Sequence, residues 1–445
     1  MIRYIFVGTG YFCFCFPFKI WGFDPRYLII LIGLVLFLQE HKWKIRTSVP
    51  VFYFKVLSLP AAIGIWALIS VFYNHTSDLS FVIYPFQCLY LLSIAYSVFL
   101  MQKNCFREIS FRQCVNFYIG ILVVQSLIAV TAFVNSGFAG FLYSMEGMDQ
   151  QSTVMKNYLG MRLIGLGCFF FGAGSHYGLG LILFVANFLS VRGKKTWKQC
   201  LGCALLYIYL IVVGMGFART TSIGLMMSMF LLLAYPLFFS GSRTLRNNVR
   251  KYVIITMSIL ATIVSVYLMS PKLQEEYGTI VEFAFEMVYK YFEEGEVATD
   301  SSDALKTLYV WPDNLKTYLI GDARFWADSS KESYYMFTDV GYLRLIYYFG
   351  IPGMLFYLGY SLYICAECCR YTEVRLLRFT FLLIFIFDLA LNVKGLMDMS
   401  ATMYVYMLVL RATYYKRRNL TDNSSEPECF GNKNLGLRQA DNPKN

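Results

Sequence analysis

Apolar residues along this chain are grouped into long runs that charged residues interrupt only at intervals. A helix needs about 20 apolar residues to cross the hydrocarbon core of a bilayer. The pattern predicts about twelve such helices, and the expected fold class is an all-α polytopic integral membrane protein. The predicted spans lie near residues 4–23, 27–39, 51–73, 81–101, 114–134, 163–191, 199–217, 221–240, 252–270, 340–364, 377–393 and 399–414.

The amino-acid composition excludes a soluble protein of this length. Of the 445 residues, 57% are apolar and only 15% are charged, whereas soluble domains average about 45–50% apolar and about 25% charged residues. The first predicted span contains Lys19 and bulky aromatic residues and has no small-residue cleavage site. We therefore expect an uncleaved span there rather than a signal peptide.

Basic residues are concentrated in alternate connections between the predicted spans. They occur at the N-terminus, near residues 42–46, 103–112, 192–198, 243–251 and 370–378, and from residue 411 onwards, and they make up 25 of the 39 Lys and Arg residues. The positive-inside bias places these segments and both termini in the cytoplasm. The net charge of +11 therefore reflects topology, and no nucleic-acid partner is expected.

The chain divides into four parts. Residues 1–270 hold spans one to nine, residues 271–338 form a large external loop, and residues 339–415 hold spans ten to twelve. Residues 416–445 form a polar cytoplasmic tail that we expect to be disordered. The loop has 13 acidic and 6 basic residues, a net charge of −7, and its residues 274–294 show the apolar spacing of a helix on a membrane surface.

The sequence predicts neither a metal site nor a cofactor site. No cluster of His, Cys and carboxylate residues has metal-ligand spacing, and there is no P-loop or nucleophile elbow. Two cysteine pairs, Cys200/Cys203 and Cys365/Cys368, have CxxC spacing. Small buried hydrophobic side chains are the more common role for such cysteines in apolar helices.

Ionisable residues near membrane depth are the candidates for function, because each costs about 2.5–3.5 kcal/mol at a helix centre. Arg219 separates two uncharged stretches, 199–218 and 220–242. One continuous helix over both would be about 66 Å long, far more than a bilayer needs. The chain must therefore turn back tightly at Arg219 and place it at the external face, where the alternative role is an arginine that snorkels to the interface.

Two further candidates lie in or beside the glycine-rich stretch 163–191. Arg162 precedes this stretch, and its glycine density predicts close helix packing or a broken helix. His176 lies inside the stretch, and a packed, hydrogen-bonded histidine is more common there than a catalytic base.

The last candidates lie after the large loop. Asp339 and Arg344 are five residues apart, so they form either an ordinary interface pair or bonds to other partners. Lys394 and Asp398 are four residues apart, and a simple helical pair is the alternative to a functional role.

The predicted topology brings four cations, Arg162, Arg219, Arg344 and Lys394, to the external face. Guanidinium groups suit bidentate binding of phosphate, so the sequence indicates a phosphate-bearing lipid as ligand. The acidic loop above them contains Trp311, Trp326 and many tyrosines, which suits sugars.

Four short segments resemble the O-antigen polymerase (Wzy) family, within the wider group that includes O-antigen ligases. They are RLIGLG at 162–167, FARTTSIGL at 217–225, IGDARF at 320–325 with YYMFTDVGYLRLIYYFGI at 334–351, and LNVKGLMD at 391–398. The predicted spans, the large loop after the ninth span and the cytoplasmic termini also agree with this family.

The resemblance implies an inner-membrane glycosyltransferase that joins oligosaccharide repeat units carried on undecaprenyl pyrophosphate at the periplasmic face. Partners would be this lipid-linked oligosaccharide, membrane lipid and, optionally, a chain-length regulator. Arg162 and Arg219 would bind pyrophosphate, and Asp339 would activate the acceptor. The implied substrate-binding residues are Arg344, Lys394, Asp322, Tyr342, Trp326 and His176.

Two alternatives stay open at this point. A ligase of the same group typically has a histidine late in the large loop, where this chain has Thr338 and Asp339 and no histidine; that favours a polymerase. A lipid-linked glycan flippase or other transporter would suit twelve spans, but such folds usually show duplicated halves, and no internal repeat occurs here.

Overall fold

A computed structural model describes residues 1–40, 48–146, 162–191, 193–294, 306–328, 331 and 333–424 of the protein. Helices account for 79% of these residues, and the described part contains no β-strand. The predicted all-α class is confirmed. Each predicted span overlaps a helix, although the first, 4–23, is helical only as far as Cys15.

The helices are named here in chain order. The first part of the chain contains α1 (Ile2–Cys15), α2 (Arg26–Glu40), α3 (Ser48–Asn74), α4 (Tyr84–Cys105), α5 (Phe111–Val134) and α6 (Ser136–Glu146). The middle contains α7 (Phe170–Ser190), α8 (Trp197–Phe217), α9 (Thr221–Ala234, continued by a π-helical turn Tyr235–Phe239), α10 (Arg243–Met269) and α11 (Pro271–Glu294). The last part contains α12 (Leu315–Leu319), α13 (Gly341–Arg370), α14 (Arg375–Asn392) and α15 (Ser400–Ser424).

Eight helices in the described part are long and apolar enough to cross a membrane, namely α3, α4, α5, α7, α8, α9 with its π-helical turn, α10 and α13. The protein is therefore a polytopic membrane protein. The other four predicted spans correspond to α1, α2, α14 and α15. The first two have only 14 and 15 residues, and the last two contain three or more charged residues each.

Helix α7 is the centre of the bundle and packs against α5, α8, α9 and α14. A Cβ atom added at Gly224 of α9 would lie only 2.2 Å from the Cα of Gly178 in α7, so the two backbones are in direct contact. Both predictions for the glycine-rich stretch hold, because packing is close and residues 162–169 are not helical. The predicted span 163–191 therefore begins as a helix only at Phe170.

Helix α13 is broken near its first third. Pro352 has no N–H, so the carbonyl of Tyr348 loses its helical donor. The backbone leaves helical geometry at Phe349 (φ −140°, ψ 21°) and at Gly350 (φ 72°, ψ −178°). Two backbone carbonyls at this break therefore need other donors.

Those donors come from α3 and from the large loop. The carbonyl of Tyr348 accepts from the backbone N–H of Ala323 at 3.0 Å and from Ser70 Oγ at 2.9 Å. The carbonyl of Phe349 accepts from Trp66 Nε1 at 2.8 Å. The carbonyls freed at the break thus attach the loop segment 320–323 to the membrane helices through hydrogen bonds.

The fit at this junction is tight enough to require glycine at two positions. A Cβ at Gly321, which has φ +82°, would lie 2.4 Å from the carbonyl oxygen of Tyr348. A Cβ at Gly350, which has φ +72°, would lie 2.6 Å from the carbonyl oxygen of Leu319. Only glycine adopts such angles at no steric cost.

The connections between helices are sorted to two ends of the bundle. At one end, Arg112, Ser190, Thr372 and Arg417 line a single cavity, so α4–α5, α7–α8, α13–α14 and the end of α15 meet there. We call this the basic end. The opposite end, the loop end, contains residues 75–83, 162–169, 218–220, 306–340 and 393–399. The basic positions 42–46, which the predicted alternation assigns to the basic end, lie outside the described residues.

The predicted tail is partly helical. Helix α15 runs to Ser424, so residues 416–424 continue the last predicted span. Residues 425–445 lie outside the described residues.

Candidate functional site

The turn that carries Arg219 is as tight as predicted. Helix α8 ends at Phe217 and α9 begins at Thr221. The hydroxyl of Thr221 donates to the carbonyl of Gly174 at 3.2 Å, which ties the turn to the start of α7.

The segment that carries Arg162 is tied to the same place. The N–H of Leu163 donates to the carbonyl of Gly216 at 2.9 Å, so Arg162 lies beside the last turn of α8. Its guanidinium lies over the ring of Phe170, with Cζ 5.6 Å from the ring centroid. Residues 162 and 219 therefore lie together at the loop end.

Asn392 shapes the turn that carries Lys394. Its amide nitrogen donates to the carbonyls of Asp388 and Met397, both at 2.9 Å, and its Oδ1 accepts from the N–H of Met397 at 3.2 Å. A Cβ at Gly341 would lie 2.8 Å from the carbonyl oxygen of Asn392, so this turn packs directly on the start of α13. The sequence placed Asn392 in a motif but gave it no role of its own.

The electrostatics of Lys394 place five charges in one region. Burial lowers the pKa of Lys394, and the positive charges of Arg219 and Arg162 lower it further. The carboxylates of Asp339 and Glu286 act in the opposite direction. Backbone packing brings their segments together. A Cβ at Gly395 would lie 3.2 Å from the ring of Phe171, and a Cβ at Gly174 would lie 2.5 Å from Oγ1 of Thr220, so the turns that carry Lys394 and Arg219 both pack on the first turns of α7. We call Arg162, Arg219 and Lys394 the cation cluster.

Glu286 is a member of the site that the sequence did not predict. Its carboxylate forms an ion pair with Arg219 and lies 3.6 Å from Nζ of Lys290. The side chains of Arg219 and Glu286 are only 17% and 14% exposed, so the pair is largely shielded. Its helix, α11, was predicted, but nothing in the pattern distinguishes Glu286 from the other acidic residues of the loop.

The fourth predicted cation, Arg344, has aromatic neighbours. Its Cζ lies 3.4 Å from the ring centroid of Tyr334 and 4.3 Å from that of Phe325. Trp326 in turn stacks on Tyr334, with ring centroids 5.0 Å apart. Arg344 is therefore held by cation–π contacts and supports the loop next to the cation cluster.

Asp339 is exposed at the loop end. It lies within electrostatic range of both Lys394 and Arg344. The preceding residue, Thr338, is buried and donates its hydroxyl to the carbonyl of Leu308 at 2.7 Å. An anchored neighbour thus fixes the backbone that presents the Asp339 carboxylate to solvent.

The other predicted substrate-binding residues have structural partners. Asp322 accepts from Nζ of Lys316 at 2.6 Å and from the hydroxyl of Thr317 at 2.8 Å. The hydroxyl of Tyr342 donates to the carbonyl of Leu389 at 2.6 Å.

His176 is buried in the bundle, and its Nδ1 shares a hydrogen bond of 2.9 Å with the hydroxyl of Tyr118. This environment is the packed, hydrogen-bonded one that the sequence analysis gave as more common than a catalytic base.

Among the described residues, no group of three or more His, Cys, Asp or Glu side chains is arranged to hold a metal ion. The chain matches no family model, no curated protein and no solved structure.

Proposed function

We propose that this protein is an O-antigen polymerase-type glycosyltransferase of the bacterial inner membrane. It would join undecaprenyl-pyrophosphate-linked repeat units into polysaccharide at the periplasmic face. The observation that carries the proposal is the cation cluster, in which three distant segments bring Arg162, Arg219 and Lys394 to the first turns of α7, beside the exposed carboxylate of Asp339.

The chemistry of a lipid-linked donor fits this arrangement. Three cations near one another suit a ligand with several negative charges, and a pyrophosphate provides them. When the glycosidic bond to the carrier breaks, negative charge accumulates on the departing pyrophosphate, and fixed cations stabilise that charge in the transition state. Arg162 and Arg219 have this role in the proposal.

The acceptor is a hydroxyl group on the sugar end of a second lipid-linked unit. Its oxygen attacks the anomeric carbon of the donor as the bond from that carbon to the pyrophosphate oxygen breaks. The carboxylate of Asp339 takes the proton of the hydroxyl. The donor supplies the free energy, so neither a nucleotide sugar nor ATP takes part.

The proposed topology places the loop end in the periplasm. Twelve spans are obtained when α1, α2, α14 and α15 cross the membrane together with the eight apolar helices. Both termini and the basic end then lie in the cytoplasm, as the positive-inside bias requires.

Deletion of the gene, followed by gel analysis of lipopolysaccharide, tests the proposal. A polymerase predicts that the ladder of long chains disappears while the band with a single repeat unit remains. Loss of that band as well would favour a ligase or a flippase, and an unchanged ladder would refute the proposal.

The variant Asp339→Asn tests the proposed base, because it keeps the shape of the side chain and removes its charge. Expressed in the deletion strain, it should leave only the single-repeat band while the protein accumulates normally in the membrane. A normal ladder would remove Asp339 from the mechanism.

A further inference from the structure

A second concave region lies at the loop end, apart from the cation cluster. It is a cavity of about 640 Å³ between the α3–α4 connection and the loop residues that follow Ala323. Its walls include His75, Thr76 and Asp78 on one side and Arg324 and Trp326 on the other. We call it the loop groove. Its volume is in the range of small-ligand sites, about 300–1,000 Å³.

The two walls of the loop groove are joined by hydrogen bonds. Asp78 Oδ2 accepts from the backbone N–H of Phe325 at 2.7 Å, and the hydroxyl of Thr76 donates to the carbonyl of Ala323 at 3.0 Å. The same loop is fastened to the break in α13. The groove is therefore preformed, and a ligand that enters it does not have to order its walls.

The lining of the groove distinguishes it from an anion site. Its charged residues are Arg324 and Lys331, which are basic, and Asp78 and Asp328, which are acidic, so the formal charges balance. The hydroxyl of Thr76 and the ring of Trp326 complete a surface that combines one broad apolar face with polar groups. Such a surface suits a polyhydroxylated neutral molecule, whose C–H face packs on an indole while its hydroxyl groups form hydrogen bonds.

The groove is connected to the candidate site through a stack of side chains. Trp326 lines the groove and stacks on Tyr334, and the guanidinium of Arg344 lies over the ring of Tyr334. The N–H of Arg344 donates to the carbonyl of Val340 at 3.0 Å, and Asp339 is the residue before Val340. The groove and the proposed base are thus neighbours at the loop end, joined by this stack of side chains.

We propose that the loop groove binds the oligosaccharide of the acceptor unit and holds its reacting hydroxyl toward Asp339. The ligand class is a neutral or weakly charged oligosaccharide of about one repeat unit. The acceptor role rests on the proposed polymerase function, whereas saccharide binding by the groove does not.

Saturation-transfer NMR on the purified full-length protein in detergent micelles tests the binding. The probe is the lipid-free repeat oligosaccharide, released by mild acid from the lipid-linked units of the host. We expect binding by the wild type and at least a tenfold weaker affinity in Trp326→Ala. Trp311→Ala is the matched control, because Trp311 lies on the same loop, is 54% exposed and is not part of the groove lining.

A second variant keeps the test valid if Trp326→Ala does not fold. Arg324 is exposed, so Arg324→Ala should leave the loop intact and weaken the affinity about fivefold. Equal affinity in the wild type, Trp326→Ala and Arg324→Ala would overturn the proposal, as would the absence of binding to the wild type.

Inorganic pyrophosphate separates this proposal from the proposed function. It should not compete with the oligosaccharide, and Arg219→Ala should bind the oligosaccharide normally. If the gel test fails while the Trp326-dependent binding persists, only the polymerase assignment falls. Displacement of the oligosaccharide by pyrophosphate would place the saccharide at the cation cluster and refute the groove.

Discussion

The ion pair between Arg219 and Glu286 lies where the proposed mechanism binds an anion, and both side chains are largely shielded from solvent. The carboxylate of Glu286 occupies the position at which the proposed mechanism needs a phosphate oxygen. Shielded ion pairs gain little net free energy, because desolvation offsets their attraction. Binding of a pyrophosphate at Arg219 would require Glu286 and its helix α11 to move away from Arg219.

Arg219→Ala should abolish polymer, since loss of one donor to a developing oxyanion typically costs about 10²–10³-fold in rate. Arg219→Lys should also be strongly impaired, because lysine keeps the charge and loses the bidentate geometry. The measurement is the lipopolysaccharide ladder of the deletion strain that expresses each variant. Arg243→Ala, an exposed arginine at the basic end, is the control and should give a normal ladder.

Removal of Arg219 also leaves the Glu286 carboxylate without this partner, so a double variant separates the two effects. Arg219→Ala/Glu286→Ala should insert as well as the wild type and still make no polymer. Polymer restored by the double variant would mean that Arg219 only neutralises Glu286.

Glu146, the last residue of α6, should make stability depend on pH. Burial raises its pKa from 4.5 to about 7, although the N–H of Gly167, at 2.7 Å from Oε1, acts in the opposite direction. At pH values between 4.5 and about 7, the folded protein therefore keeps the Glu146 proton, whereas the unfolded chain has lost it. The contribution of Glu146 to stability is present at acid pH and is lost as the pH rises through this window.

The thermal unfolding midpoint of the detergent-purified protein, measured from about pH 5 to about pH 8, checks this prediction. The wild type should lose more stability over this range than Glu146→Gln, whose side chain does not titrate. Parallel curves for the two proteins would show that burial of Glu146 has no such effect.

At the scale of elements, the break in α13 is the feature that organises the loop end. Hydrophobicity predicted a span at 340–364, but it does not show that two carbonyls leave the helix or that residues 320–323 supply donors. Two glycines in the motif segments, Gly321 and Gly350, make this junction possible, since each packs against the backbone of the segment that contains the other. That contact joins residues about thirty positions apart, and a local pattern carries no information on such pairs.

Gly321→Ala should destabilise the protein by more than the roughly 1–3 kcal/mol of an unfavourable backbone conformation, because its Cβ also meets the carbonyl of Tyr348. Gly359→Ala, in the helical part of α13, is the control, as its added Cβ has no neighbour within 4 Å. Alanine there should be neutral or stabilising by up to about 1 kcal/mol. Unfolding midpoints in detergent give the comparison, and equal midpoints for the two variants would contradict the proposed fit.

Among the other elements, long apolar runs were the most predictable and charged contacts the least. The hairpin at Arg219 followed from length alone, because no bilayer accommodates the alternative helix. Glu286 could not be identified, since its significance comes from the approach of α11 to the α8–α9 turn. Asn392 belongs to a motif that the sequence analysis identified. Its role in closing the Lys394 turn could not be predicted, because that role depends on the packing of α14 against α13.

At the scale of the whole molecule, charge is divided between the two ends. The basic connections meet around the cavity lined by Arg112 and Arg417, and the acidic loop covers the other end. The few cations at the loop end are exceptions to this division. Their positions along the chain were predictable from topology, but their convergence with Asp339 depends on three turns that the sequence does not relate to one another.

Reporter fusions test which end of the bundle faces the cytoplasm. Green fluorescent protein fused after residue 445 should fluoresce, and alkaline phosphatase fused after Trp311 should be active, because positive-inside bias places only the basic end in the cytoplasm. A fusion in the α9–α10 connection should behave like the one at the C-terminus. Active phosphatase at the C-terminus would reverse the proposed topology.

The broken helix α13 also has a consequence for the order of assembly. Helices inserted from the N-terminus place α3 in the bilayer before α13 is synthesised, and in the proposed topology residues 320–323 are translocated just ahead of α13. Backbone carbonyls without donors cost several kcal/mol in lipid, so α13 is stable only once Trp66 and Ser70 and the returning loop have reached it. The outer part of the protein therefore acquires its final shape after synthesis of α13, and the site it carries is completed late in biogenesis.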